Sequence, residues 1–299
     1  LNIIDKIIKL KKEKNAIILA HNYQPDSIQE IADFTGDSFG LSQKAADLKA
    51  DVLVFCGVDF MAESAKILSP DKTVLLPEEN AICPMARMAN VRILKELKKR
   101  NPTAAVVSYV NSSAAVKAES DICCTSSNAL KIVESLPEED IIFVPDRNLG
   151  HYVQKQTEKN IILWDGFCPT HNRVRAEELK EAKENHPEAV ILAHPECRDE
   201  ILKNADYTGS TAGILDYVKN SKAEQFIIGT EMGLLYRLKK ENPEKKFYLL
   251  SSQLICRNMK KNSLEKVVVA LENLETPVEV EAKVRKKAEK ALKRMLASG

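Results

Sequence analysis

No apolar run in this chain is longer than a strand. The longest, at 16–20 and 51–57, are far too short to span a bilayer as a helix, so membrane insertion is not expected. There is no excess charge of one sign either: 44 Lys and Arg stand against 43 Asp and Glu, a net of +1. Without a basic field, neither nucleic acid nor an anionic membrane surface is expected as a partner. The first fourteen residues carry five lysines and read as an amphipathic helix. They lack the apolar centre and small-residue cleavage site of an export signal, so a cytoplasmic location is expected. Seven cysteines, at 56, 83, 123, 124, 168, 197 and 256, are an odd number for a disulfide framework, and in that location they are expected to be reduced.

What the 299 residues do contain is a threefold repeat. Short apolar strands ending in polar tips occur at 16–23, 105–112 and 189–196. A brief helical stretch follows each, then a segment carrying hydroxyls at 32–38, 120–126 and 205–211. The step from tip to hydroxyl is 17, 17 and 16 residues, from His21 to Ser38, Tyr109 to Ser126 and His194 to Ser210. Each copy continues with a strand (51–57, 140–145, 225–231), a helix (60–68, 149–157, 233–240) and a closing strand (73–76, 161–164, 247–250). Alternating helices and β-branched apolar strands predict three α/β units with mainly parallel sheets. Charged stretches with Pro102 and Pro187 break the pattern near 99–103 and 183–188. The domains expected are 13–100, 101–184 and 185–275, with terminal helices 1–12 and 276–299 packing across them. The tail at 278–297, apolar at 284, 288, 292, 295 and 296, is expected to be a helix packed with the N-terminal one, in a structural role.

One cysteine follows the last strand of every unit: Cys83, Cys168 and Cys256, spaced by 85 and 88 residues. The other four have no threefold counterparts; Cys123, Cys124 and Cys197 read as packing residues. Ligands gather at the carboxyl ends of strands in open α/β sheets, so a pseudo-threefold axis brings these three thiols together. Thiolates at close range repel unless a cation neutralises them, which points to a metal. A [4Fe–4S] cluster held by three cysteines keeps one iron open; a zinc ion with three thiolates and a water makes a hydrolytic site. His194-Pro-Glu196 matches half of the zinc-deaminase signature, but neither Cys83 nor Cys256 has a second cysteine three places on. Ligands drawn from three separate units suit the bulkier cluster.

The same strand ends bring His21, Asn22, Tyr23, Tyr109, Asn111, His194 and Glu196 toward that metal, and the helix starts add Ser38, Ser126, Ser210 and Thr211. Hydroxyls at a helix start cap it or bind an anion, and both at once is possible. His, Tyr and Glu in one cavity supply proton donors and acceptors. His171 lies three residues past Cys168.

At these residues the chain resembles the quinolinate synthase family, bacterial and archaeal enzymes of de novo NAD biosynthesis. The resemblance is carried by Leu19-Ala-His21-Asn22-Tyr23-Gln24, Gly36-Asp37-Ser38, Gly57-Val-Asp59-Phe-Met-Ala-Glu63, Cys83-Pro-Met-Ala86, Tyr109-Val-Asn111-Ser112 and Thr125-Ser126. It continues through Pro145-Asp146-Arg147-Asn148-Leu149, Cys168-Pro-Thr-His171, His194-Pro-Glu196-Cys197, Gly209-Ser210-Thr211, Gly229-Thr-Glu231-Met and Cys256-x-x-Met259-Lys260. It implies three homologous three-layer αβα domains about a [4Fe–4S] cluster on Cys83, Cys168 and Cys256. It also implies condensation of iminoaspartate, supplied by an aspartate-oxidising enzyme, with dihydroxyacetone phosphate to give quinolinate. By the family pattern His21, Tyr109, Asn111, His194, Ser210 and Thr211 orient substrate and Ser38 and Ser126 meet the phosphate-bearing end; Tyr23 and Glu196 are the candidates for proton transfer, with His21, Tyr109 and His194 the other catalytic residues expected. Met259 stands where some members have a second cysteine able to form a regulatory disulfide, so that switch is not expected here. Two other readings stay open: a three-cysteine zinc hydrolase or deaminase, and a non-catalytic metabolite binder with a structural metal.

Overall fold

A computed structural model describes residues 2–298. Its framework is three four-stranded parallel sheets, each flanked by helices. The first is built from β1 (Ala16–His21), β2 (Phe34–Gly36), β3 (Val52–Cys56) and β4 (Thr73–Leu75). The second holds β5 (Ala105–Tyr109), β6 (Ile122–Cys124), β7 (Asp140–Val144) and β8 (Asn160–Leu163). The third holds β9 (Val190–Ala193), β10 (Tyr207–Thr208), β11 (Gln225–Gly229) and β12 (Lys246–Leu249). Strand order is the same in all three: β2-β1-β3-β4, β6-β5-β7-β8 and β10-β9-β11-β12. The central strands are continuous apolar runs because helices cover both of their faces.

The repeat reaches individual hydrogen bonds. Asp33, Asp121 and Asp206 precede the three short edge strands. Their Oδ2 atoms accept the backbone N–H of Ile18, Val106 and Ile191, each at 2.8 Å and fifteen residues away. Each carboxylate supplies an acceptor where the edge strand is too short to reach, so no central-strand amide is left unpaired there.

The tail departs from its expected form. Helix begins at Ala282, not 278, and runs to Ser298. The residues before it lie along the exposed edge of β4, where Val278 N donates to Val74 O at 2.8 Å and Leu76 N to Thr276 O at 3.2 Å. An open strand edge satisfied by a passing segment wins over the helical pattern there. The tail helix does not take the N-terminal helix as its main partner. Ile3–Glu13 packs on helix Leu264–Asn273, where Ile7 and Leu10 meet Val267 and Leu271 in one apolar cluster. Ala282–Ser298 packs against β6 and helices Ala114–Lys117 and Asp59–Leu68 through Ala288, Ala291, Leu292 and Met295. Both stripes find apolar partners, but different ones. Among the described residues no helix is long and apolar enough to cross a membrane.

All seven cysteines are free thiols. Cys56, Cys123, Cys124 and Cys197 are fully buried in apolar clusters, and burial alone pushes the Cys56 thiol up to about 12.

Candidate active site and metal centre

The carboxyl ends of β1, β5 and β9 face one cavity of about 190 Å³. From the first sheet and its loops come His21, Tyr23, Ser38 and Cys83; from the second, Tyr109, Asn111, Ser126 and Cys168; from the third, His194, Glu196, Thr211 and Cys256. Ser210 is buried but is not on this wall. Its Oγ caps helix Thr211–Asn220, accepting the Gly213 N–H at 3.1 Å, and it borders a neighbouring cleft.

The three thiols sit in one repeated setting. Cys83 and Cys168 are the N-cap residues of short helices that start with Pro84 and Pro169. Each sulfur accepts a backbone N–H from the residue three positions on: Ala86 for Cys83, His171 for Cys168 and Met259 for Cys256. Cys256 gains further hydrogen bonds from the Asn258 N–H and the Thr170 hydroxyl. Burial raises all three thiols above their ordinary range, and each feels the charge of nearby acids or sulfurs as well. Thiols in such a place carry no charge of their own accord, yet they are ringed by N–H donors that stabilise sulfur as an anion. That donor set fits a thiolate-bound metal.

Each cysteine is also anchored through its backbone. The Cys83 N–H donates to Asp59 Oδ1 at 3.0 Å and the Cys256 N–H to Glu231 Oε1 at 3.0 Å. Asp146 accepts the N–H of Cys168, along with those of Asn148 and Leu149. These acids lie two or three residues past β3, β7 and β11, so the loop after one strand holds the loop after its neighbour. They were not among the expected site residues. Their regular position after the third strand of each unit was the available signal.

Over the thiols lies a buried polar network. Glu196 Oε1 accepts from the Tyr109 hydroxyl at 2.7 Å and from Asn111 Nδ2 at 3.4 Å. Its Oε2 lies 2.7 Å from His171 Nδ1. His171 Nε2 is 2.9 Å from Thr230 Oγ1, which is 2.6 Å from the Tyr23 hydroxyl. With the His171 proton on Nδ1, every link has one donor and one acceptor: Tyr23 to Thr230, Thr230 to His171, His171 to Glu196. His171 and Thr230 therefore join two residues expected from sequence, Tyr23 and Glu196. Thr230 follows β11, and its contact with Tyr23 spans 207 residues, so nothing local marked it.

Electrostatics divide these groups. Burial would raise Glu196, but the imidazoles of His194 and His171 and the hydrogen bonds from His171 and Tyr109 outweigh it and hold the carboxyl below its ordinary range. His194 itself is pushed down to about 3, mostly by burial. With that ring uncharged, the direct hydrogen bonds to Glu196 are the support that remains. His21 is likewise pushed down to about 3 by burial first and His194 next. Burial and the Glu196 charge drive Tyr23 and Tyr109 well above the ordinary tyrosine range. Around Glu196 the cavity therefore sets an ionised carboxylate among the neutral rings of His21 and His194 and two phenols that keep their protons.

The imidazoles share a pattern. His21 Nδ1 accepts the Tyr23 backbone N–H at 3.1 Å, and His194 Nδ1 accepts that of Glu196 at 3.3 Å. Both rings must then carry their proton on Nε2. For His194 that atom lies 3.2 Å from Ser126 Oγ.

Comparison with known proteins bears on the chemistry. Residues 5–297 match the family described as Quinolinate synthetase A protein. The quinolinate synthase of Geobacter metallireducens is 56% identical over 292 residues, covering 98% of this chain and 96% of that one. That of Caldicellulosiruptor saccharolyticus is 58% identical over 292 residues, covering 97% and 96%. That of Methanosarcina barkeri is 56% identical over 295 residues, covering 99% and 97%.

Proposed function

This chain belongs to the quinolinate synthetase A family, and from that premise we propose that it condenses iminoaspartate with dihydroxyacetone phosphate, releasing quinolinate, phosphate and two waters. The reaction would serve NAD biosynthesis, with an aspartate-oxidising enzyme upstream. The observation that carries the reading is the convergence of three thiols from three sheets, each met by a backbone N–H from the third residue on, beside the Glu196 carboxylate and two protonated phenols.

Cys83, Cys168 and Cys256 would hold a [4Fe–4S] cluster. When bound, such a cluster with one iron lacking a protein ligand supplies a Lewis acid for substrate oxygens. His21 and His194 present Nε2–H donors, and Asn111, Tyr109 and Thr211 add polar contacts that orient the carbon skeleton. Ser38 and Ser126 would meet the phosphate-bearing end. Asp37 already takes the Gly40 N–H at 2.8 Å, so hydroxyls rather than bare helix amides make that contact. Ser210 would support Thr211 from behind as the helix cap. Glu196, charged and fed by hydrogen bonds, would take a proton during isomerisation. Tyr23, which keeps its own proton, would give one to a departing oxygen during dehydration.

A second reading has one observation behind it. Ligand atoms of Cys168, His171 and Glu196 lie within 4.8 Å of one another, a group able to hold a single ion such as zinc. A tetrahedral zinc sets its sulfurs about 3.8 Å apart. Among the described residues, the three cysteines do not form a group within 4.8 Å, which favours a larger centre for them.

The deciding experiment is purification without oxygen and a count of iron, sulfide and zinc per chain, followed by turnover with both substrates. About four irons and four sulfides, with quinolinate formed, is the expected result. One zinc without sulfide would remove the cluster reading in favour of the hydrolase. A loaded cluster without turnover would leave a metabolite binder.

A further inference from the structure

Arg237, on helix Leu234–Glu241 beside the third sheet, reaches across to the loop after β1. Its Nη1 donates to Asn22 Oδ1 at 3.0 Å and to Thr35 O at 3.3 Å. Its Nε and Nη2 are held by Glu241 Oε1 at 2.9 and 2.7 Å. Asn22 is fully buried, and its Nδ2 donates to Thr211 Oγ1 at 2.9 Å. Of His21, Asn22 and Tyr23, Asn22 alone does not line the cavity, whereas Thr211 does.

The polarity of this chain is settled by chemistry. A guanidinium has donors and no acceptor, so it can face only the oxygen of the Asn22 amide. The NH₂ group must then face Thr211. A threonine hydroxyl has one proton, and an oxygen that is already accepting from Asn22 keeps that proton for another partner. Without Arg237, the amide could turn over, present its oxygen to Thr211 and draw the hydroxyl proton away from the cavity.

We propose that Arg237 is a positioning residue that acts through Asn22 to keep the Thr211 hydroxyl a donor toward an anionic oxygen of the substrate. The inference rests on the reading that the cavity binds a dicarboxylate. It assigns a role to a residue outside the cavity, and to the pairing of Arg237 with Glu241, which holds the guanidinium in place.

The test uses cluster-loaded enzyme and binding of quinolinate by calorimetry, with steady-state turnover alongside. Arg237→Met should weaken quinolinate about tenfold, the effect expected when one hydrogen bond to a charged group is lost, and raise KM while changing kcat less than twofold. Arg237→Lys should restore most of the affinity, since an ammonium also donates and cannot accept. Asn22→Asp keeps, and charges, the contact with Arg237 but can only accept from Thr211, so it should weaken quinolinate at least as much. In a Thr211→Val background neither Arg237→Met nor Asn22→Asp should have further effect on affinity, because the hydroxyl they orient is gone. A mere clamp between the two units would give losses of the same factor in both backgrounds, and Asn22→Asp would be harmless; either result overturns the proposal. If the parent enzyme forms quinolinate from both substrates and Arg237→Met leaves affinity unchanged, only this inference falls. A parent that neither binds nor forms quinolinate removes the functional reading and this inference with it.

Discussion

The loops of Cys256 and Cys168 are tied down by the same device in different electrical states. Glu231, fully buried, accepts the Cys256 and Gly233 N–H groups and lies 2.9 Å from the Lys260 ammonium. Burial raises its carboxyl, and the Lys260 charge works against that rise. Asp146, equally buried, accepts backbone N–H groups, two of them on Oδ1, and forms no ion pair among the described residues. Burial and repulsion from Glu196 carry it well above the usual carboxylate range. One loop is therefore held by an ion pair and the other by a carboxyl without a cation, whose ionisation burial and Glu196 oppose. The third anchor, Asp59, resembles Glu231, with Arg87 at 2.6 Å on its outer oxygen. A charge in the second loop would sit near Glu196, whose own charge opposes it.

The largest expected effect makes the two loops equivalent by disabling either: Cys168→Ser and Cys256→Ser should each lose bound iron and sulfide, with quinolinate formation falling below detection. Equal iron contents in parent and variants would show that the thiols hold nothing. Glu196→Gln removes the negative neighbour that distinguishes the Asp146 loop; kcat should fall roughly 10²- to 10⁴-fold, the usual range for a lost general base, while iron content is kept. Near-normal turnover would take Glu196 out of the mechanism.

Glu231→Gln makes the third loop resemble the second but strands Lys260, whose ammonium also donates to Tyr23 O at 2.5 Å. Lys260 is partly exposed, so the loss should be about 2 kcal/mol, below the range for a fully buried pair, read from the urea midpoint at constant m. The Lys260 charge also faces His21, which gives a pH test. His21 is held at about 3, below its unfolded value of 6.5. Between those values the unfolded chain binds the extra proton, so stability is fully present above pH 6.5 and is lost as pH falls toward 3. His21→Gln should flatten the apoprotein's stability slope in that window by up to about 1.4 kcal/mol per pH unit, one proton's worth; an unchanged slope would place the titration elsewhere. Asp146→Asn keeps an oxygen for the backbone N–H groups and breaks no ion pair, so it should shift stability by less than about 1 kcal/mol, with iron retained. A loss as large as that of Glu231→Gln would erase the distinction between the loops.

Much of this arrangement could be read from the chain. The apolar strands, the hydroxyl segments sixteen or seventeen residues past each tip, and one cysteine after each closing strand all follow from local periodicity repeated three times. That is why the sheets and the cavity-lining tips His21, Tyr109 and His194 were legible. What escaped notice lies in contacts between units. Thr230 meets Tyr23 across 207 residues and Arg237 meets Asn22 across 215. Glu178, on a helix that reads only as polar, accepts from Ser251 across 73. Gly233 is the clearest backbone case: a Cβ there would stand 2.8 Å from Tyr23 backbone atoms, a constraint visible only once the first and third units are in contact. The segment before the tail helix shows the same limit, since its helical pattern gave way to an open edge on β4.

The sequence by itself determined three repeated α/β units and the chemical kinds of side chain at their strand ends, because period, branching and turn residues act over a few positions. Only the tertiary structure decided which of those side chains touch and which carry charge. The Glu196 carboxyl is held below its ordinary range and that of Asp146 is driven above it, although both are buried acids near one cavity. The difference lies in their partners: side-chain donors with neighbouring imidazoles for one, and backbone amides beside a negative neighbour for the other. Burial and long-range pairing set those energies, and neither exists until the three units close on one another.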